Sequence, residues 1–189
     1  MKVLVIPEDP TLDKYILKPI VERLFKDVGR KAQIEVLEDP HLRGIDEALD
    51  SKCVAQIVAE NPMVDLFLLM VDRDCNRYRN EERAEAREQE HPGKLLACLA
   101  VQEVEVWMVA LHREAVDAPS WKEVRAECDP KERYADPLLR ELSSPTAVGH
   151  GRKQAMREIA TQWNALVQRC EELARLRERL QEWVASHAG

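Results

Sequence analysis

Val64-Asp65-Leu66-Phe67-Leu68-Leu69-Met70-Val71-Asp72-Arg73-Asp74 is the stretch that decides how the rest of the chain is read. Val64 to Val71 is a short, almost continuous apolar run, as expected of a strand buried on both faces. It stops abruptly at Asp72-Arg73-Asp74. In extended chain, residues two apart point the same way, so both aspartates are expected to face one site.

Outward from this run, strand and helix signals alternate. Lys2 to Ile6 is a second buried-strand pattern, and Gln33 to Leu37 and Leu95 to Val101 are two more. Between them, Thr11 to Lys26 and Ile45 to Glu60 carry apolar residues near helical spacing. Pro19 removes a helical hydrogen bond, which predicts a kink or a helix that starts nearer Lys18. Arg77 to Glu90 is charge-dense, with i,i+4 pairs suited to a solvated helix, and a further helix is expected from about Gln102 to His112. That alternation implies βαβ units and a mainly parallel four-stranded sheet flanked by helices, an α/β class. After residue 112 strand signals fade. Trp121 to Cys128 and Pro130 to Leu142 read as short helices, Ser143 to Gly151 as a loop, and Arg152 to His187 as a long helical tail. The expected organisation is an α/β core over 1–112 and a helical extension over 113–189, in one structural domain. The tail's apolar rhythm (Leu173, Leu176, Leu180 and Trp183 among others) suits packing on its own core more than on a partner.

In an open parallel sheet, ligands bind beyond the carboxyl ends of the strands. Glu8-Asp9 follow the first strand, Asp72 and Asp74 the third, and Glu103 and Glu105 the fourth. Each has an ordinary structural reading, as a helix-start acid or a polar loop residue. Their coincidence at three strand ends favours a shared site. Clustered carboxylates raise one another's pKa and oppose folding unless a cation offsets them. An all-oxygen set without His or Cys suits Mg²⁺ or Mn²⁺ rather than Zn²⁺.

The totals set limits on function. The chain has 189 residues, 45% hydrophobic and 33% charged, the composition of an ordinary globular protein. Its formal net charge of -7 gives no global attraction to nucleic acid, although a local basic patch can still engage a phosphate backbone. No apolar run reaches the roughly 18 residues of a membrane span, and the acidic turn after residue 6 does not fit a signal peptide, so a cytoplasmic protein is expected. Five scattered cysteines, without a CxxC pair, argue against disulfides and structural zinc, and leave Cys75 an incidental neighbour of the aspartates. His91 and His150 lack ligand-spaced partners, and the four tryptophans lie in helical patterns that favour core packing.

These residues carry a family resemblance. A strand ending in Glu followed by a strand ending in Asp-x-Asp resembles the Toprim fold, a Rossmann-like fold of topoisomerases, primases and overcoming-lysogenization-defect nucleases. Glu8-Asp9-Pro10-Thr11-Leu12-Asp13 is similar to the EGxTE/EGPTD opening of Toprim-like prokaryotic proteins of unknown function, Val71 to Asp74 to their second motif, and Glu105-Val106-Trp107 to their E-x-W helix start. The likeness covers roughly residues 2 to 112; Gly149 to Lys153 resembles, less specifically, a basic Gly-rich stretch found later in such proteins. It implies Mg²⁺-dependent phosphodiester chemistry on DNA or RNA, in defence or mobile-element systems beside an ATPase partner. Carried over, Glu8 would transfer a proton or bind metal, and Asp72, Asp74 and Glu105 would be metal ligands. One departure is Asp9, where the family usually has Gly: Gly permits close backbone approach to phosphate, and Asp repels it unless it too binds metal.

Arg73, Arg77, Arg79, Lys94, Arg152 and Lys153 are the basic residues expected to meet such a substrate. Gly149 to Lys153 reads equally as an anion-cradling turn and as an ordinary exposed loop. Two other classes stay open: a non-catalytic regulatory module that docks an ATPase or a second copy through its C-terminal helix, and a small-molecule phosphotransferase or phosphatase.

Overall fold

The computed structural model describes residues 1–75, 77–144 and 146–187, without the side chain of Arg77. Four strands, β1 (Lys2–Ile6), β2 (Gln33–Val36), β3 (Leu66–Asp72) and β4 (Leu95–Ala100), form an all-parallel sheet in the order β2-β1-β3-β4. The parallel class and the place of each strand agree with the apolar runs. Chain order reverses between β1 and β3, so the topological switch point lies beyond the carboxyl ends of those two strands.

Alternation along the strands sorts the core into two layers. Val3, Val5, Leu66, Leu68 and Met70 face one side, where they meet α1 (Lys14–Asp27), α5 (Glu105–Leu111), α9 (Ile159–Arg169) and α10 (Glu171–Ser186). Leu4, Ile6, Phe67, Leu69 and Val71 face the other, against α2 (Ile45–Ala48), α3 (Ser51–Glu60) and α4 (Arg77–Glu90). The tail's stripe, including Trp163, Leu166, Leu173, Leu176 and Leu180, is buried in the first layer, as its spacing suggested. Each fully buried Leu contributes about 2 kcal/mol through removal from water.

Several boundaries differ from the sequence reading. α1 begins at Lys14, and Pro19 sits inside it rather than at its start. The expected helix 45–60 is split, because Asp50 takes extended backbone and its side chain accepts the Cys53 N–H at 2.8 Å, capping α3. Residues 102–104 precede α5 instead of belonging to it, with Gln102 in left-handed backbone (φ 70°). The region after 112 holds α6 (Trp121–Ala126), a π-helical turn (Lys131–Ala135), α7 (Asp136–Leu142) and the short α8 (Arg152–Ala155) before α9 and α10. A break at Cys170 divides the long tail.

α4 carries almost no apolar surface inward and is held by arginines. Arg83 pairs with Asp46 at 2.7 Å, and Arg87 donates to the Leu49 carbonyl at 2.8 Å. At the open edge of β4, the Ala97 N–H donates to Glu88 (2.9 Å) and its carbonyl accepts from Arg179 of α10 (3.0 Å). Glu88 and Arg179 also pair with each other. These side chains occupy backbone groups through which another strand could pair, a recognised protection of sheet edges.

The cysteine reading needs correction, since Cys75 is bridged to Cys128 with a Cα–Cα distance of 5.6 Å. The chain folds so that the loop after Asp74 meets the segment after α6, a proximity that spacing along the sequence does not disclose. Cys53, Cys98 and Cys170 are free. Among the described residues, no helix is long and apolar enough to cross a membrane.

Candidate functional site

The switch point between β1 and β3 is lined with acids. Pro7-Glu8 leave β1, and Asp72 is the last residue of β3 on the same face as Leu66, Leu68 and Met70. Asp13 stands just before α1, buried at 8% exposure, and Glu105 opens α5 at 3%. The N-terminal ends of α1 and α5 therefore descend on the same sheet edge, each with a buried carboxylate.

The charges of these groups act on one another. Burial pushes the Glu8 carboxyl up to about 7, and the charges of Asp74, Asp9 and Glu105 add to the shift. Asp13 rises to about 7, through burial first and the Glu105 charge second. Asp72 lies well above the usual carboxylate range because of burial and then Glu8, Asp13 and Glu105, although its Oδ1 accepts the Val104 N–H at 2.8 Å. Glu103, half-buried, also reaches about 7 through burial, partly offset by the Lys131 N–H that it accepts at 2.7 Å. Among the described residues, one buried cation answers them: Arg152, 2% exposed, donates to Glu105 Oε1 at 2.7 Å. Glu8 Oε2 and Gln102 Oε1 are buried without a hydrogen-bond partner.

Glu8, Asp72, Asp74 and Glu105 lie at one edge of the sheet, but not in the arrangement the sequence reading expected. Asp74 has left-handed backbone (φ 55°), so strand alternation does not carry it to Asp72. Its N–H donates to the Gln102 carbonyl (3.0 Å), its carboxylate accepts from Asn80 (3.3 Å), and its charge adds to the upward shift of Glu8. Asp9 is exposed and accepts the Thr11 N–H at 2.7 Å, forming a local turn. Among the described residues, no three acids already converge on one point closely enough to hold a metal ion. The carboxylates are electrostatic neighbours rather than a closed coordination shell.

The basic residues require larger corrections. Lys94 precedes β4, at the opposite end of the sheet from the acids, and its Nζ donates to the Val64 carbonyl at 2.5 Å. Arg152 is a buried partner of Glu105 rather than a solvent-facing contact. Arg73 lies 3.9 Å from Glu81 and turns toward the cleft along β4, α4 and α10. Lys153 is exposed on a separate groove shared with Lys14, Tyr15 and Lys18 of α1. Arg79 is exposed 3.9 Å from Asp46, and the Arg77 side chain lies outside the described residues.

Sequence reasoning missed Asp13 as a member of the acid group. Its place as the residue just before a helix was the available signal, but that position fits a simple cap equally well. It also missed the Arg152–Glu105 pair, which links residues 47 apart. The segment that delivers Arg152 is unusual: Gly149, His150 and Gly151 are consecutive left-handed residues (φ 63°, 52° and 90°). A Cβ at Gly149 would run into the Tyr15 ring, and one at Gly151 into Ser143. Comparison with protein-family models, with curated proteins and with solved structures finds no match.

Proposed function

We propose that this protein is a Mg²⁺- or Mn²⁺-dependent enzyme of phosphodiester chemistry, a Toprim-like nuclease or related phosphoryl-transfer enzyme acting on DNA or RNA. The observation that carries this reading is the buried acid group at the β1/β3 switch point, with the buried Arg152 guanidinium and an orphaned Glu8 oxygen. Such charge density is costly without a counter-ion, and an all-oxygen donor set suits a hard divalent cation. Glu8, Asp72 and Asp74 would hold the ion, with Glu105 oriented beside them by Arg152. A bound ion would polarise a phosphate oxygen and lower the pKa of attacking water.

The protein's own groups have separable tasks. Glu8, whose carboxyl burial raises to about 7 in the metal-free protein, would accept or return a proton at the attacking or leaving oxygen as the alternative to holding the ion. Asp72, fixed by the Val104 N–H, keeps one oxygen oriented. The resemblance to Toprim-like prokaryotic proteins extends the proposal to an effector working in the cytoplasm, in a defence or mobile-element system beside an ATPase. The alternative of a regulatory module docking through the C-terminal helix draws less support, because the apolar stripe of α10 is already buried in the chain's own core.

Cleavage of single- and double-stranded DNA and RNA with Mg²⁺ or Mn²⁺ tests the reading. Asp72→Ala should abolish the cleavage that wild type shows. Undiminished cleavage in both Asp72→Ala and Asp74→Ala would remove the site from the mechanism.

A further inference from the structure

Beside the acids lies a cleft of about 470 Å³, within the range of pockets that hold small ligands. Lys131, Arg140 and His150 line it, Arg152 reaches it from the core, and Leu12 and Leu139 supply apolar wall. We propose that this cleft binds a phosphate group of the nucleic-acid substrate and seats it next to the carboxylates. The inference rests on the phosphodiester reading and adds a subsite to it.

Three observations converge. First, Arg152 is 2% exposed and its Nε is buried without a hydrogen-bond partner, while another nitrogen of the same guanidinium, Nη2, donates to Glu105. A buried donor left unsatisfied costs free energy, and an oxyanion entering the cleft would supply the missing acceptor. Second, the cleft carries Lys131, Arg140 and Arg152 against one carboxylate, Asp136. Third, two hydrogen bonds join cleft and acids. The backbone of Lys131 holds Glu103 at 2.7 Å, and Arg152 holds Glu105 at 2.7 Å. A phosphate in the cleft would therefore lie beside the acid group rather than at a remote surface. The left-handed Gly149-His150-Gly151 segment also gains a purpose, since it sends Arg152 inward while leaving His150 exposed on the cleft. Leu12 and Leu139 offer contact for a sugar or base.

The phosphate has two possible sources, an internal diester or a terminal monoester. The test uses short single-stranded oligodeoxynucleotides labelled at the 3′ end, carrying either a 5′-phosphate or a 5′-hydroxyl, titrated by fluorescence anisotropy in EDTA. Lys131 is half-buried and Arg140 exposed, so Lys131→Ala and Arg140→Ala are compatible with folding. Each should weaken binding about tenfold or more, the loss of a charge-assisted hydrogen bond to phosphate. Equal binding of the two oligonucleotides by wild type identifies the diester as the ligand; loss with the 5′-hydroxyl identifies the monoester. Mn²⁺ binding, measured separately, should be unchanged in both variants. Absence of Mn²⁺ binding in wild type, with this phosphate binding intact, would remove the metal reading and leave the cleft standing. Wild-type affinity in Lys131→Ala and Arg140→Ala, or no oligonucleotide binding by wild type, would overturn the proposal.

Discussion

Glu105 and Arg152 form an ion pair at 2.7 Å with almost no solvent contact, and their energetics are asymmetric. Removing one partner leaves the other charge buried and unanswered, a loss of about 3–5 kcal/mol. Arg152→Ala should therefore unfold at markedly lower urea concentration than wild type, while Arg140→Ala, at an exposed position, should move the midpoint little. A small effect at Arg152 would mean that Glu105 finds protonation or another donor. At this scale the sequence was partly legible. Glu8, Asp72 and Glu105 could be placed because each follows or ends an apolar strand run. Asp74 was assigned to the site for a reason that does not hold, since left-handed backbone breaks the alternation. The basic residues were largely illegible: whether Lys94 lies at one end of the sheet or the other depends on where β4 begins, and Arg152 meets Glu105 across 47 residues of chain.

Among elements, the Cys75–Cys128 bridge ties the loop after Asp74 to the segment leading into Lys131. It closes a loop with a sequence separation of 53, which by chain entropy corresponds to about 4 kcal/mol of stabilisation. Dithiothreitol should lower the thermal midpoint of wild type and leave that of Cys128→Ser unchanged. Equal midpoints for oxidised and reduced wild type would show that the bridge contributes nothing. α10 gives a second prediction. Leu176→Ala removes a side chain with 1% exposure from the core and should cost about 2–5 kcal/mol, read as an earlier chemical denaturation midpoint. The strands were legible to within a residue or two because buried parallel strands are continuous apolar runs. Helix breaks at Leu49-Asp50 and Cys170 were not, since capping and local backbone choices there override a continuing apolar rhythm. The disulfide was hidden for the same reason as the ion pair, because it joins segments that only the tertiary fold brings together.

For the molecule as a whole, the acid group makes stability depend on pH in a direction opposite to that of ordinary salt-bridged carboxylates. Glu8, Asp13 and Glu103 bind protons more tightly in the folded state, each reaching about 7. Between the unfolded carboxylate range near pH 4 and about pH 7, the native state therefore holds more protons than the unfolded one. The stabilisation is fully present below the unfolded pKa and is lost as pH rises through the folded values. Metal-free protein should lose a few kcal/mol from these groups between pH 5 and pH 8, read as falling urea midpoints. A midpoint that rises across this window would contradict the burial of these charges. A divalent cation should reverse the loss, and more strongly at pH 8 than at pH 5.5, where protons compete for the same oxygens. The most direct test of the central claim is calorimetric titration of Mn²⁺ into wild type and into Asp72→Ala/Asp74→Ala at pH 8. Saturable binding in wild type that disappears in the double variant is the predicted result; no binding in wild type, or equal binding in both, would contradict a cation site at the β1/β3 switch point.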